Sequence, residues 1–528
     1  MLLLLSTAWA TECPAELTEL LSQLDADAHH CPTTVLGALG ERAQALDATA
    51  CLTQELTLRG LPTPGPALDL PPGPPAPNKA TRDAYNTPNS LESDNFVLRW
   101  GNRDFDEDDA ASILEGFENA WSGVLEDMAY AAPDGTDSYK FNVYMGSTGN
   151  GAPQEYGAAY YTRDNAGHPM IVVSRNTPGG GQSYMASVAV HEFYHALQDA
   201  AESPYQYDSS SPGAWYWEAT ANWIETELYP GNWNVAYFIV GYAFMPQLPI
   251  HYFNYPDTGS WDEYHQYGAF IFPYYMTHGP TDALTIRRSW LEATSSDPLR
   301  TLDAVLQDRG HGSIDQAFFD FAAANATWDY PGAGAQDLFS DTVASYCAQY
   351  SSDCDYIAAS HSGTFDWTSV DNDLRPQRYG TNFIELRSTE GELELELDAE
   401  GSRGSLAEWD VRVIQPNGDQ RQLEVSGGHA STDLTGMDDA MLVVSVVTPA
   451  FYDGETFDYS YRVALPMPND TDSGFSESGP DTDDTSDTDV VTAPPPEIGA
   501  GGCGCGGGTL GGGAWVLGLL VFARRRQR

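Results

Sequence analysis

Basic residues are scarce in this chain of 528: 24 Lys and Arg stand against 76 Asp and Glu, a formal net charge of −52. Nucleic acid and anionic membrane surfaces would both be repelled, so neither is expected as a partner. Part of the acidic excess lies in a local tail. The rest is spread along the chain and suits a solvated exterior rich in divalent cations, calcium among them. Cysteine is also sparse. Seven residues with no CxxC pair argue against a cysteine-built zinc cluster. Apolar residues are not in short supply: at 41% they can fill the cores of two or three domains.

The start, MLLLLSTAWATEC, reads as a secretory signal over 1–10 with cleavage after Ala10. Export suits the cysteines. Cys347 and Cys354 close a small loop and are expected to pair, whereas Cys13, Cys31 and Cys51 leave one unpaired. Residues 11–85 combine helical stretches with the proline-rich LPTPGPALDLPPGPPAPNK, either a pro-segment or a small tied module. From residue 86 the pattern becomes strands and helices. NFVLRW, KFNVYM, YGAAYY and MIVV read as strands, and a helix carries Ile113, Leu114, Phe117, Trp121, Val124 and Leu125. A mostly helical half follows, giving an α+β domain over 86–360. YGAAYY is the candidate edge strand for holding an extended peptide.

Between 361 and 466 the period shifts to two, in NFIELRS, GELELELDA, WDVRVIQP, AMLVVSVVT and DYSYRVAL, so a small antiparallel β-sandwich is expected. His429 stands alone and should sit in a loop. Residues 467–501 are an acidic spacer. The last segment, 502–528, is glycine-rich, then apolar, then carries Arg524, Arg525 and Arg526. The 19 residues from Cys505 to Ala523 are long enough to cross a bilayer, so membrane contact is expected only there.

Residues 188–200, VAVHEFYHALQDA, carry the chemistry. His191 and His195 are four apart and project from one helix face, while Val190, Phe193, Tyr194 and Leu197 form a buried stripe on another. Two neutral imidazoles and an adjacent carboxylate are what a catalytic zinc needs. A third ligand is expected from WYWEATANWIE, where Glu218 lies 23 positions after His195 among aromatics. A carboxylate there needs a partner, and a metal is a suitable one.

By HEFYH (191–195) and WEATANWIE (217–225) the chain resembles the gluzincin branch of zinc metallopeptidases, with Ala219 where that pattern has glycine. Over residues 86–330, from NFVLRW through HEFYHALQ to QYGAFIFPYYM, it resembles a secreted peptidase family of predatory soil bacteria. The resemblance implies a zincin-like domain, a polypeptide substrate, Zn²⁺ held by His191, His195 and Glu218, and Glu192 as general base. For the oxyanion-stabilising donor Tyr267 is the candidate, with Tyr264 and His265 as rivals. Asn222 stands where thermolysin-like members carry an aspartate that orients a zinc histidine, and Glu225, two turns after Glu218, shares its face. Asp199 and Glu202 follow the histidines too closely to be ligands. CGCGGGTLGGGAWVLGLLVFARRRQR resembles a C-terminal sorting signal of the MYXO-CTERM type, which implies display at the cell surface. Two other readings stay open: a non-catalytic surface protein with a structural zinc, and a zinc aminopeptidase, although no GAMEN-like stretch offers a site for a free amino terminus.

Overall fold

The computed structural model describes residues 79–229, 233–254, 261–328, 330, 335–351, 353–389, 391–399, 407–448 and 454–466. The expected signal peptide, residues 11–78, the acidic stretch 467–501 and the expected sorting segment lie outside them. No helix among the described residues is long and apolar enough to cross a membrane.

The first sheet contains β1 (Asn89–Glu92), β2 (Phe96–Trp100), β3 (Phe141–Gly146), β4 (Ala159–Arg163) and β5 (Pro169–Ser174), in the order β1-β2-β3-β5-β4. β2, β3 and β5 run parallel, with β1 and β4 antiparallel at the two edges. Every residue of the three parallel strands is buried; the runs are mostly apolar, and the buried Arg99 donates to Asn142 Oδ1 at 3.2 Å. β4 is less covered and occupies an edge, where YGAAYY was expected.

Two helices cover this sheet, α1 (Ala110–Ala120) and α2 (Gln182–Ala200). The stripe read from the sequence is the contact face: Val190, Phe193, Tyr194 and Leu197 are fully buried. Phe193 is its centre, with its ring 5.3 Å from Phe96 and 5.7 Å from both Trp121 and Phe141. Each such aromatic contributes about 1.5–3 kcal/mol by leaving water. The histidine-bearing helix is thereby pinned to the sheet by its back.

The rest of this half is helical. α3 (Ala214–Leu228) leads, followed by short helices at Ile239–Ala243 and His265–Gly268, α4 (Ile271–His278), α5 (Ala283–Leu291), α6 (Pro298–Asp308), α7 (Ile314–Ala324) and α8 (Ala335–Gln349). Asp282, Asp297 and Ser313 cap α5, α6 and α7 by accepting from Leu284, Leu299 and Gln316 backbone N–H groups. Cys347 at the end of α8 is bonded to Cys354, as the spacing predicts.

Two facing sheets follow. β6 (Ile357–Ser362), β8 (Gly380–Arg387), β10 (Glu408–Ile414), β11 (Gln420–Leu423) and β13 (Ala440–Val447) form one, in the order β11-β10-β13-β8-β6. β7 (Phe365–Thr368), β9 (Glu394–Asp398), β12 (His429–Asp433) and β14 (Ser460–Ala464) form the other, in the order β12-β9-β14-β7. Leu395, Leu397, Tyr461 and Val463 of one sheet share a core with Val411, Val413, Leu442 and Val444 of the other. The sandwich is not wholly antiparallel: β6 pairs parallel with β8. The chain crosses from β6 to β7 in the opposite sheet and comes back, and the two reversals restore its direction. His429 opens β12 rather than lying in a loop. The sandwich is docked on α7, where Ala322 and Ala323 pack with Phe383, Ile414 and Val443 and Arg412 bonds Asp320 at 2.8 Å. The protein is thus α+β, with a mixed sheet, a helical half and a β-sandwich.

Candidate metal centre

α2 supplies His191 and His195, and α3 packs beside it and supplies Glu218. The three form a buried group that could hold a metal ion, with ligand atoms all within 4.8 Å of one another. Glu218 Oε2 lies 3.2 Å from His191 Nε2 and 3.6 Å from His195 Nε2. Ligands about 2.0–2.1 Å from a tetrahedral ion stand about 3.4 Å apart, so the spacing fits such an ion.

Each ligand is held from behind through its other polar atom. His191 Nδ1 meets Glu225 Oε1 at 2.9 Å, and Glu225 Oε2 also accepts from the Ser187 hydroxyl. His195 Nδ1 meets Gln198 Oε1 at 2.6 Å. Tyr207 donates its hydroxyl to Glu218 Oε1 at 2.6 Å. The outward atoms are thus committed, and the inward atoms converge.

Glu192 is 2% exposed, and its Oε2 has no hydrogen-bond partner among the described residues. Burial raises its pKa, although His191 and His195 pull it down. Burial also works against a charged His191, but Glu218 and Glu225 outweigh it and lift that imidazole well above its usual value. Burial opposes ionisation of Glu218 as well; the two histidines win and hold its pKa below the usual carboxylate range.

The other candidates make contacts of their own. Asn222 does not take the place of an orienting aspartate: its Nδ2 donates to the Tyr267 carbonyl at 3.2 Å, and Glu225 orients His191. Tyr267 is 4% exposed, with its ring 5.3 Å from Phe238. Tyr264 packs at a tilt against Phe238 and Trp261, and His265 is fully buried between Tyr242 and Tyr252. Asp199 accepts from Tyr161 at 2.6 Å and pairs with Arg163, tying β4 to the end of α2. Glu202 is exposed in the turn after α2. Sequence reasoning missed Gln198 and Tyr207. Gln198 carried a signal, since it follows His195 by one helical turn; Tyr207 sits in a loop without period.

The fold and this group define an α+β protein with a buried two-histidine, one-carboxylate cluster. Residues 75–419 match a family of unknown function (DUF6055), and the chain belongs to that family. The match takes in the whole cluster and ends between β10 and β11. No curated protein matches the chain.

Proposed function

We propose that the protein is an exported zinc-dependent endopeptidase of zincin-like architecture. The observation that carries this reading is the convergence of His191 Nε2, His195 Nε2 and Glu218 Oε2 beside the buried carboxylate of Glu192, whose Oε2 has no hydrogen-bond partner among the described residues. A donor set of two imidazoles and one carboxylate suits Zn²⁺ better than Ca²⁺, which asks for an all-oxygen shell. Bound there, zinc would supply a Lewis acid that makes water acidic near neutral pH and polarises a carbonyl. Glu192 accepts the proton of the attacking water and returns it to the leaving amine. Its burial suits that work, because a raised pKa lets a carboxyl both take and give a proton. The open edge of β4 offers backbone groups for an extended polypeptide. For the oxyanion donor the candidate is Tyr267; the Tyr207 hydroxyl already gives its proton to Glu218 Oε1.

The test pairs metal analysis with digestion of casein and an unbiased peptide library by wild type and Glu192→Gln. Retained zinc with cleavage reduced about 10²-fold or more supports the assignment. Equal cleavage by both proteins, or a wild-type chain that holds no metal, ends it. Internal cuts separate it from an aminopeptidase.

A further inference from the structure

His195 and Gln198 lie on the same face of α2, one turn apart, and both are buried. A glutamine amide is chemically two-ended. Oε1 only accepts and Nε2 only donates, so its neighbours dictate which way it faces. Here they do so completely. The nitrogen lies 2.9 Å from the Trp217 carbonyl, which can only accept. It also lies 2.9 Å from Thr220 Oγ1, whose own proton goes to the Tyr216 carbonyl at 2.7 Å. Trp290 Nε1, a donor only, adds a second bond to Thr220 Oγ1 at 3.2 Å. Turning the amide over would set two carbonyl oxygens against each other in a buried site. Gln198 Oε1 therefore faces His195 and can only accept, so His195 Nδ1 carries the proton.

We infer that Gln198 is a positioning residue that locks His195 in the Nδ1–H tautomer, leaving the Nε2 lone pair free for the metal before any metal arrives. The inference rests on the metal reading of the cluster. In solution imidazole favours the opposite tautomer, with the proton on Nε2 and the lone pair turned away from where a ligand atom is needed. The lock removes that mismatch. Trp217 immediately precedes Glu218, so the same amide also ties the helix bearing the histidines to the backbone beside the third ligand. The two histidines are held by different chemistry. His191 has the carboxylate of Glu225, whereas His195 has a neutral amide. Glu192, Glu218 and Glu225 already place three buried carboxylates in this region, and an amide orients the second ring without adding a fourth.

Two substitutions separate the lock from simple packing. Gln198→Glu keeps the acceptor toward His195 and loses the donors to Trp217 and Thr220. Gln198→Leu loses both. If Gln198 only holds the helices together, the two variants weaken zinc binding alike. If it sets the tautomer, Gln198→Leu raises the zinc dissociation constant about 10–100-fold, while Gln198→Glu, whose negative acceptor adds electron density at Nε2, binds zinc at least as tightly as wild type. Competition against a chromogenic chelator reads this out without turnover. The second readout is the metal-free wild-type protein with ¹⁵N-labelled histidine, His195 being assigned by the signal lost in His195→Gln. A pyrrole-type Nδ1 and a pyridine-type Nε2 support the lock, and the reverse pattern overturns it whether or not the variants fold. Equal zinc affinity of Gln198→Leu and wild type also overturns it. A wild type that shows the expected tautomer but binds no zinc sinks the enzyme assignment instead and leaves the lock standing.

Discussion

Glu225 Oε1 stands 2.9 Å from His191 Nδ1, two helical turns beyond Glu218 on the same helix. One face of α3 thus supplies both a ligand atom and the carboxylate behind another ligand. A negative acceptor on Nδ1 raises the electron density at Nε2, so the ring binds a cation more tightly. Glu225→Gln keeps an acceptor and removes the charge. Its zinc affinity should fall about tenfold in chelator competition, with secondary structure retained. Unchanged affinity would mean that the pair serves only packing.

Tyr207 is the tie that comes from a loop rather than a helix. Its hydroxyl engages Glu218 Oε1 and leaves Oε2 to face the histidines. Tyr207→Phe removes the donor with almost no change in volume. About tenfold weaker zinc binding and faster metal loss to a chelator are expected. Tyr267→Phe, assayed alongside at saturating zinc, should leave affinity intact; any loss it causes would appear in turnover alone. Affinity reduced by Tyr267→Phe but not by Tyr207→Phe would reverse this assignment.

Acid should weaken the fold well before ordinary carboxylates titrate. Burial pushes the imidazole of His265 down to about 3, against Asp262 and the Tyr252 backbone, which pull the other way. A free histidine titrates near about 6.5, so below that pH protons favour the unfolded chain. The stabilising effect of keeping His265 neutral is complete above about pH 6.5 and is lost as pH falls toward 3, at up to about 1.4 kcal/mol per unit. Urea unfolding at several pH values between 8 and 5 measures the slope. His265→Phe should reduce it, leaving the share of His251, whose imidazole burial also pushes down to about 3, and an identical slope in the variant would place the acid sensitivity elsewhere.

Gly241 and Gly268 mark where two short helices cross at backbone distance. A Cβ on Gly268 would lie 2.4 Å from the Tyr242 nitrogen and 2.6 Å from the Phe238 oxygen; one on Gly241 would lie 2.2 Å from the Tyr264 oxygen. Backbone cannot give way as a side chain can. Gly268→Ala should cost about 2 kcal/mol or more, seen as a lower urea midpoint. A variant as stable as wild type would show that the crossing can open freely.

Much of the centre is legible in the sequence. The stripe of Val190, Phe193, Tyr194 and Leu197 announces which side of α2 is buried, because helical periodicity is set by local geometry. The same geometry puts His191 and His195 together and places Glu225 on the face of Glu218. The disulfide followed from a seven-residue spacing. Asn222 departs from the family's aspartate, and its amide nitrogen donates to the Tyr267 carbonyl while Glu225 stands behind His191. The parallel pairing of β6 with β8 was also hidden: alternation reports which face is covered and says nothing of which strand lies alongside.

The amino-acid order by itself determined the helices, the buried stripe and the shared face of His191 and His195, because each depends on residues within a turn or two of one another; Glu218 was legible only through its motif. Only the folded chain decided what stands behind them. Tyr207 reaches Glu218 from a loop, and Gln198 is oriented by a carbonyl and a hydroxyl on another helix. Hydrogen bonds of that kind depend on how separate elements dock, and docking leaves no period in the sequence.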